Sequence, residues 1–355
     1  MTIPELKIGG HTVKVPIFQG GMGVRVSMSS LASAVTNAGG IGTLSSIGLG
    51  DFVASLTEYE RISREALVEE IRKVKKSTGG PVAVNFMGVL SNVNDLIAAA
   101  VAEGIKIVVF GAGLPGTLPE LVPDPEVCLV PIVSSSRVAE LILKVWDKRY
   151  SRTADALILE GPLAGGHLGF SKEQLANPDE FSLEVLVPSL LEAIKPFEDK
   201  YGRKIPVIAA GGIFDGRDIA RMLALGASGV QMATRFVCTA ECDVSEKFKQ
   251  AYLAAKKEDI VIIESPVGMP GRAIRNDFLI DLEASGKRAV KCPYRCLSAC
   301  KAGEAKFCIA QALLDSFYGK VDEGLLFCGQ NAYRIDKIVT VKELMDELVA
   351  ELEAV

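Results

Sequence analysis

The feature that most constrains this chain is a regular alternation. Between residues 16 and 236, eight short apolar runs (16–19, 41–46, 81–86, 105–110, 127–133, 154–159, 205–210 and 229–236) are separated by helical or charged stretches. Each run is bounded by glycine, proline or a polar turn. Runs that are apolar throughout suit parallel strands covered on both faces. Eight of them alternating with helices predict an α/β chain folded as a (β/α)8 TIM barrel. A doubly wound open sheet is the competing architecture. It rarely needs eight such units in succession, and no G-x-G-x-x-G follows the first run.

The reading divides the chain into a barrel over residues 1–240, a helical, loop-rich, cysteine-containing cap over 241–330, and a C-terminal segment over 331–355. That segment begins Thr340-Val-Lys-Glu343, a capping-box sequence ahead of an amphipathic helix expected to pack on the barrel or cap. Further helices are expected over 51–76, 95–103, 182–199 and 215–225, and one ending near residue 38 is expected to be capped by Ser27 or Ser29.

A length of 355 residues accommodates one large barrel. With a formal charge of −5, nothing points to general nucleic-acid binding. The start of the chain has neither the basic residues nor the apolar core of a signal peptide, and no apolar run is long enough to span a bilayer. A cytoplasmic protein is therefore expected. Its eight cysteines should be thiols, catalytic groups or metal ligands rather than disulfides.

In a barrel, the C-terminal ends of all strands open on one mouth. Gln19–Met22, Asn85, Glu160–His167, Gly211-Gly212 and Ala233-Thr234 should converge there. The stretch Glu160-Gly-Pro-Leu-Ala-Gly-Gly-His167 places an acid, a glycine turn and one of only two histidines at the end of the sixth run. Glycines let a flat ligand lie on backbone, and histidine suits proton transfer near neutrality. The loops after the seventh and eighth runs, around Gly211-Gly212 and Gln231–Thr234, are where such barrels often seat a phosphate on helix N-terminal amides. His11, beside Gly9-Gly10 in an expected N-terminal hairpin, is given no role.

Five segments carry a family resemblance: Pro16-Ile-Phe-Gln-Gly-Gly-Met22, Val84-Asn85-Phe86, Glu160-Gly…Gly165-Gly166-His167, Pro206-Val-Ile-Ala-Ala-Gly-Gly212 and Gly226–Phe236. In that order they resemble the nitronate monooxygenase (2-nitropropane dioxygenase) family, which includes the flavin-dependent enoyl-ACP reductases. Gly268–Asn276 is similar to a segment both branches share after the barrel. The resemblance implies an FMN-dependent oxidoreductase. It assigns flavin binding to Gly21, Met22, Asn85, Glu160, Gly165, Gly166, Gly211, Gly212, Gln231, Met232, Ala233 and Thr234, and makes His167 the catalytic histidine. An acid at 160 follows the enoyl reductase branch; Leu163 fits neither branch. The implied reaction is oxidation of alkyl nitronates with His167 as base. The alternatives are NAD(P)H-dependent reduction of an enoyl thioester, or an FMN and iron–sulfur electron-transfer protein docking on a redox partner. A homodimer is compatible with all three.

A second constellation is Cys292, Cys296, Cys300 and Cys308, spaced C-x3-C-x3-C-x7-C. This is neither the common ferredoxin spacing nor a zinc-finger spacing. On one continuous helix Cys292 and Cys300 would lie about 12 Å apart along the axis. Turns expected at Pro293 and Gly303 would instead let the thiols converge. Lys287, Arg288, Lys291, Arg295, Lys301 and Lys306 surround them against a single acid, Glu304. The expectation is one metal centre, an iron–sulfur cluster ahead of zinc, with uncoordinated thiols on a solvated basic face as the alternative. Cys128, Cys238, Cys242 and Cys328 are expected to be ordinary buried residues, Cys328 being the likeliest spare ligand among them.

Overall fold

The computed structural model describes residues 2–50, 56–290, 292, 295–298 and 300–355. The chain opens with a hairpin of β1 (Leu6–Ile8) and β2 (His11–Val13). There follow β3 (Ile17–Gln19), α1 (Ser29–Asn37), β4 (Gly42–Ser45), α2 (Leu56–Ser77), β5 (Val82–Met87), α3 (Val93–Ala102), β6 (Ile107–Gly111), α4 (Leu118–Leu121), β7 (Cys128–Val133), α5 (Ser136–Tyr150) and β8 (Leu157–Glu160). Next come β9 (Gly166–His167), α6 (Lys172–Ala176), α7 (Leu183–Tyr201), β10 (Val207–Ala210), α8 (Gly216–Ala224), β11 (Gly229–Met232) and the single turn α9 (Thr234–Val237). The rest comprises α10 (Glu246–Ala254), β12 (Ile260–Glu264), β13 (Pro270–Ile274), α11 (Asp277–Ser285), α12 (Ile309–Phe317) and α13 (Val341–Glu353).

Eight parallel strands form one sheet in the order β3-β11-β10-β8-β7-β6-β5-β4. Its two ends meet through a parallel bridge between Phe18 and Ile41, where the Gln19 amide donates to the Ile41 carbonyl at 2.8 Å. The sheet thus closes into the expected barrel. Closure leaves no edge strand, so each strand buries one face against outer helices and the other against the barrel interior. Phe18, Ile107, Val109, Val130, Ile158 and Ile208 fill that interior. Leu6, Ile8 and Val13 of the hairpin join the same cluster, and the thiol of Cys128, the first residue of β7, donates to the Ile8 carbonyl at 3.6 Å. The hairpin therefore stops the end of the barrel opposite the mouth.

The C-terminal helix completes the outer ring. α13 packs against α8 and α1, and its Glu351 accepts from the Gly216 amide at 2.8 Å. Val341, Leu344, Met345, Leu348 and Leu352 make its buried stripe, and Thr340 and Glu343 cap it reciprocally. It takes the place of the eighth barrel helix, so residues 238–340 are an insertion between the last strand and the helix that covers it.

Three local expectations are corrected. The eighth strand ends at Met232, because Ala233–Phe236 turns into α9 despite its apolar character. The cap is not only helical: β12 and β13 pair antiparallel within it. The β12 run Ile260–Ile263 is β-branched, but it lies half exposed outside the barrel pattern. Neither Ser27 nor Ser29 caps α1. The N-cap is Met28, the Ser27 hydroxyl accepts from the Met22 amide at 2.9 Å, and the Ser29 amide donates to Glu70 at 2.9 Å. Among the described residues, no helix is long and apolar enough to cross a membrane.

Candidate active site

The strand ends bring most of the expected residues to one mouth. Asn85, on β5, donates from Nδ2 to the Gly21 carbonyl at 3.4 Å. A Cβ on Gly21 would lie 2.4 Å from that of Asn85, so the two chains approach this closely only because residue 21 is glycine. Gln231 and Ala233, at the end of β11, border Gly20. Gly211 and Gly212 follow β10 at positive φ, against Ala164 and Leu163 of the loop after β8.

His167 is positioned by the insertion. Its short strand β9 pairs antiparallel with β13, Gly271 opposite His167 and Arg272 opposite Gly166. The turn joining β12 to β13 carries Ser265, whose hydroxyl meets His167 Nε2 at 2.7 Å. The same hydroxyl accepts from the Val267 amide at 3.4 Å, and Phe327 packs edge-on against the imidazole with ring centroids 4.9 Å apart. An Nε2–H donated to Ser265 leaves Nδ1 as the acceptor of the neutral ring. Burial pushes the imidazole pKa down from 6.5 to about 4, so His167 is neutral near pH 7.

Glu160 ends β8 half-buried. Burial pushes its carboxyl up to about 8, against the opposing pull of Arg272. Arg272 is buried and donates to the Ala164 carbonyl. Burial lowers it to about 10, still charged at neutral pH. At neutral pH burial thus favours the uncharged forms of His167 and Glu160, and the buried cation of Arg272 interacts with Glu160.

On the far side of the mouth, the expected helix-end seat for a phosphate is not available in its simple form. The N-terminus of α8 is closed by its own Asp215–Asp218 capping box, and α9 is a single turn. The free donors lie just before α8. Among the described residues, the amides of Gly212 and Ile213 have no acceptor in the chain. A segment of the insertion covers them: Asn331 donates to the Gly212 carbonyl at 2.6 Å, and Thr234 accepts from the Gly329 amide at 2.9 Å. The Asn85 side-chain oxygen is buried without a partner.

Sequence reasoning missed Ser265, Arg272 and Asn331. All three come from the insertion, and the only local signal was the Gly268–Asn276 segment, which contains Arg272. Cys328 is buried, as expected of an ordinary core cysteine, and not placed as a spare ligand. Its backbone would lie 2.5 Å from a Cβ on Gly165, and it belongs to the main hydrophobic cluster. Cys292, Cys296, Cys300 and Cys308 sit outside the mouth, on a loop against the connection from β5 to α3. The expected turn at Pro293 and the charge of Lys291 lie outside the described residues. A cavity of about 300 Å³ opens between the Ser265 turn and residues 301–306, with Lys301 and Lys306 in its wall.

The raised pKa of Glu160 has a stability consequence. The unfolded chain releases this proton near pH 4.5 and the folded chain only near 8, so the group makes the fold less stable as pH rises between them. Glu160→Gln removes that penalty without changing shape. In thermal melts of flavin-free protein, the variant should gain on wild type as pH rises from about 5 to about 8. A gap independent of pH would mean that Glu160 ionises at an ordinary value.

The comparisons agree with this architecture. The family model for nitronate monooxygenase matches residues 4–351. A Mycobacterium tuberculosis protein named (3aS,4S,5R,7aS)-5-hydroxy-7a-methyl-1-oxo-octahydro-1H-indene-4-carboxyl-CoA dehydrogenase is 33% identical over 78% of this chain and 67% of its own. A probable nitronate monooxygenase of Staphylococcus saprophyticus is 30% identical, over 75% of this chain and 77% of its own. Among solved structures, FabK from Thermotoga maritima superposes with a TM-score of 0.75 at 29% identity, covering 98% of this chain and 94% of that one. The chain belongs to the nitronate monooxygenase family, whose members are flavin-associated oxidoreductases.

Proposed function

We propose that the protein is an FMN-dependent oxidoreductase that oxidises alkyl nitronates at the barrel mouth, with His167 as the base when a neutral nitroalkane is the substrate. The observation that carries this reading is the His167–Ser265 pair, which ties Nε2 of a neutral imidazole at the mouth; in the tautomer that donates to Ser265, Nδ1 is the acceptor. Bound FMN would supply the redox chemistry, as a carrier of hydride or single electrons.

The residues present suit such a cofactor. The free amides of Gly212 and Ile213, with Thr234 beside them, would hold the phosphate. Gly166, at positive φ with open space where a Cβ would stand, leaves room for a flat ring over the backbone. Asn85 has an unpaired buried oxygen to offer a ring N–H. Arg272 would place a positive charge where negative charge accumulates on reduction. Met22, Gly21 and Gln231–Ala233 would line the ring, and Glu160, kept protonated, would donate a hydrogen bond instead of repelling an anionic substrate.

A second reading is supported by a specific observation. The acid at position 160 follows the enoyl reductase branch. The cavity beside Ser265 has Lys301 and Lys306 at its wall, each paired there with a carboxylate, Glu304 and Glu264; a coenzyme A or acyl-carrier phosphate would have to displace those pairs to reach them. The Mycobacterium relative is named for a CoA thioester. In this reading NAD(P)H is the co-substrate, and His167 positions an enoyl thioester.

Two variants test the assignment. His167→Ala should retain FMN and lose turnover of neutral nitroalkane by about 10²–10⁴-fold, while turnover of preformed nitronate falls far less, because the nitronate has already lost the proton in question. The wild-type acid limb for nitroalkane should lie near pH 4 rather than 6.5, since only the neutral imidazole can accept the proton. Equal losses on both substrates would remove the base role. Gly212→Asp would add a negative charge beside the free amides, with its Cβ 3.0 Å from Leu163 and at a positive φ that disfavours any side chain. It should fold and purify without FMN; a folded variant holding one FMN per chain would refute the phosphate assignment.

A further inference from the structure

Among the described residues, no group of three or more His, Cys, Asp or Glu side chains is arranged to hold a metal ion, Cys292, Cys296, Cys300 and Cys308 included. The insertion reaches the barrel mouth by another route, its return segment over residues 327–334. Phe327 packs on the His167 ring. The Cys328 amide donates to the Arg272 carbonyl at 3.1 Å, the Gly329 amide to Thr234 Oγ1 at 2.9 Å and the Gln330 amide to the Leu163 carbonyl at 3.1 Å. Asn331 then donates from Nδ2 to the Gly212 carbonyl at 2.6 Å. One short stretch thus touches the loops after β8, β10 and β11. The fit is close: a Cβ on Gly165 would lie 2.5 Å from the Cys328 carbonyl carbon, and one on Gly329 2.7 Å from Thr234 Oγ1.

The two arginines of this region are already matched by carboxylates. Arg334 pairs with Asp215 at 2.8 Å and Arg235 with Glu347 at 2.9 Å. Their guanidinium carbons lie 4.1 and 4.7 Å from the centroid of the Phe214 ring. The donors left open beside them are neutral. They are the amides of Gly212 and Ile213 and the hydroxyl of Thr234. That hydroxyl accepts from Gly329, and among the described residues its own proton has no acceptor in the chain.

Such donors serve an anion only if the peptide joining Gly212 to Ile213 is held one way round. In a trans peptide the C=O and N–H point to opposite sides, and this peptide is trans. Gly211 and Gly212 both stand at positive φ, 101° and 80°, and a glycine backbone meets little steric resistance to rotation. Turning the peptide over would exchange the Ile213 N–H for the Gly212 carbonyl and present an acceptor to the anion. Asn331 opposes this. It engages the carbonyl on one side, so the N–H stays on the other. The same bond polarises the peptide group and strengthens its N–H as a donor. We propose that Asn331 is a positioning residue for the FMN phosphate: it fixes the Gly212–Ile213 peptide with its N–H toward the phosphate and does not itself touch the ligand. This role rests on the FMN reading above and adds that the insertion, not the barrel alone, sets up the phosphate seat.

The test is a flavin-fluorescence titration of flavin-free, full-length protein with FMN and with riboflavin, which carries the same ring system without the phosphate. Asn331→Ala should bind FMN about 10- to 100-fold more weakly, the range for losing a hydrogen bond to a charged group, and bind riboflavin within about twofold of wild type. Asn331→Leu, similar in volume and equally without a donor, should behave the same way and stands in if the alanine variant does not fold. Equal weakening of FMN and riboflavin would make Asn331 a brace of the fold and overturn the proposal. Unchanged FMN affinity in the variants, with wild type preferring FMN to riboflavin, would also overturn it while leaving the FMN reading in place. A wild type that holds riboflavin as tightly as FMN would remove the phosphate seat and the proposal together.

Discussion

The site depends on a two-residue strand pairing. Gly166 and His167 lie opposite Arg272 and Gly271, and this joins a loop of the barrel to a hairpin of the insertion. Phe327 closes over this pairing, and a Cβ on Gly271 would come within 2.8 Å of its ring. Once it forms, the turn of the same hairpin delivers Ser265 to His167, and β13 delivers Arg272 to the Ala164–Gly166 backbone. The barrel alone offers an open mouth lined with glycine. The insertion makes it an enclosed site and returns the chain to the barrel wall through α13.

Enclosure determines the electrostatics. In water His167 and Glu160 would titrate near 6.5 and 4.5; in the covered cleft they shift to about 4 and about 8. Both shifts favour the uncharged form, the signature of desolvation. The buried guanidinium of Arg272 remains as the nearby charge, and a charge in a water-poor cleft acts more strongly than one at the surface. A negative species, whether a nitronate or a reduced ring, is the natural complement of that arrangement.

The barrel was legible in the sequence because parallel strands covered on both faces must be apolar at every position, and eight such runs in succession allow few other folds. Boundaries were less legible: Ala233–Phe236 reads as strand by composition, yet the chain turns there to form α9. The glycines and His167 were found because each follows a recognisable run. Ser265 was not, since its partner lies 98 residues away and a serine in a turn has no periodicity to betray it. Arg272 lay in a segment marked by resemblance, but its role depends on a pairing that no local pattern announces. The strand character of β12 was missed because it is half exposed and belongs to no barrel repeat.

The central claim is that this enclosed, cationic mouth holds a flavin that accepts electrons from a nitronate. The direct measurement is the visible absorbance of the FMN-loaded protein mixed with an alkyl nitronate in the absence of oxygen. The account predicts that the flavin band bleaches on adding the nitronate alone, with no nicotinamide present, and returns when oxygen is admitted. A band untouched by nitronate, but bleached by NAD(P)H and restored by an enoyl thioester, would contradict it.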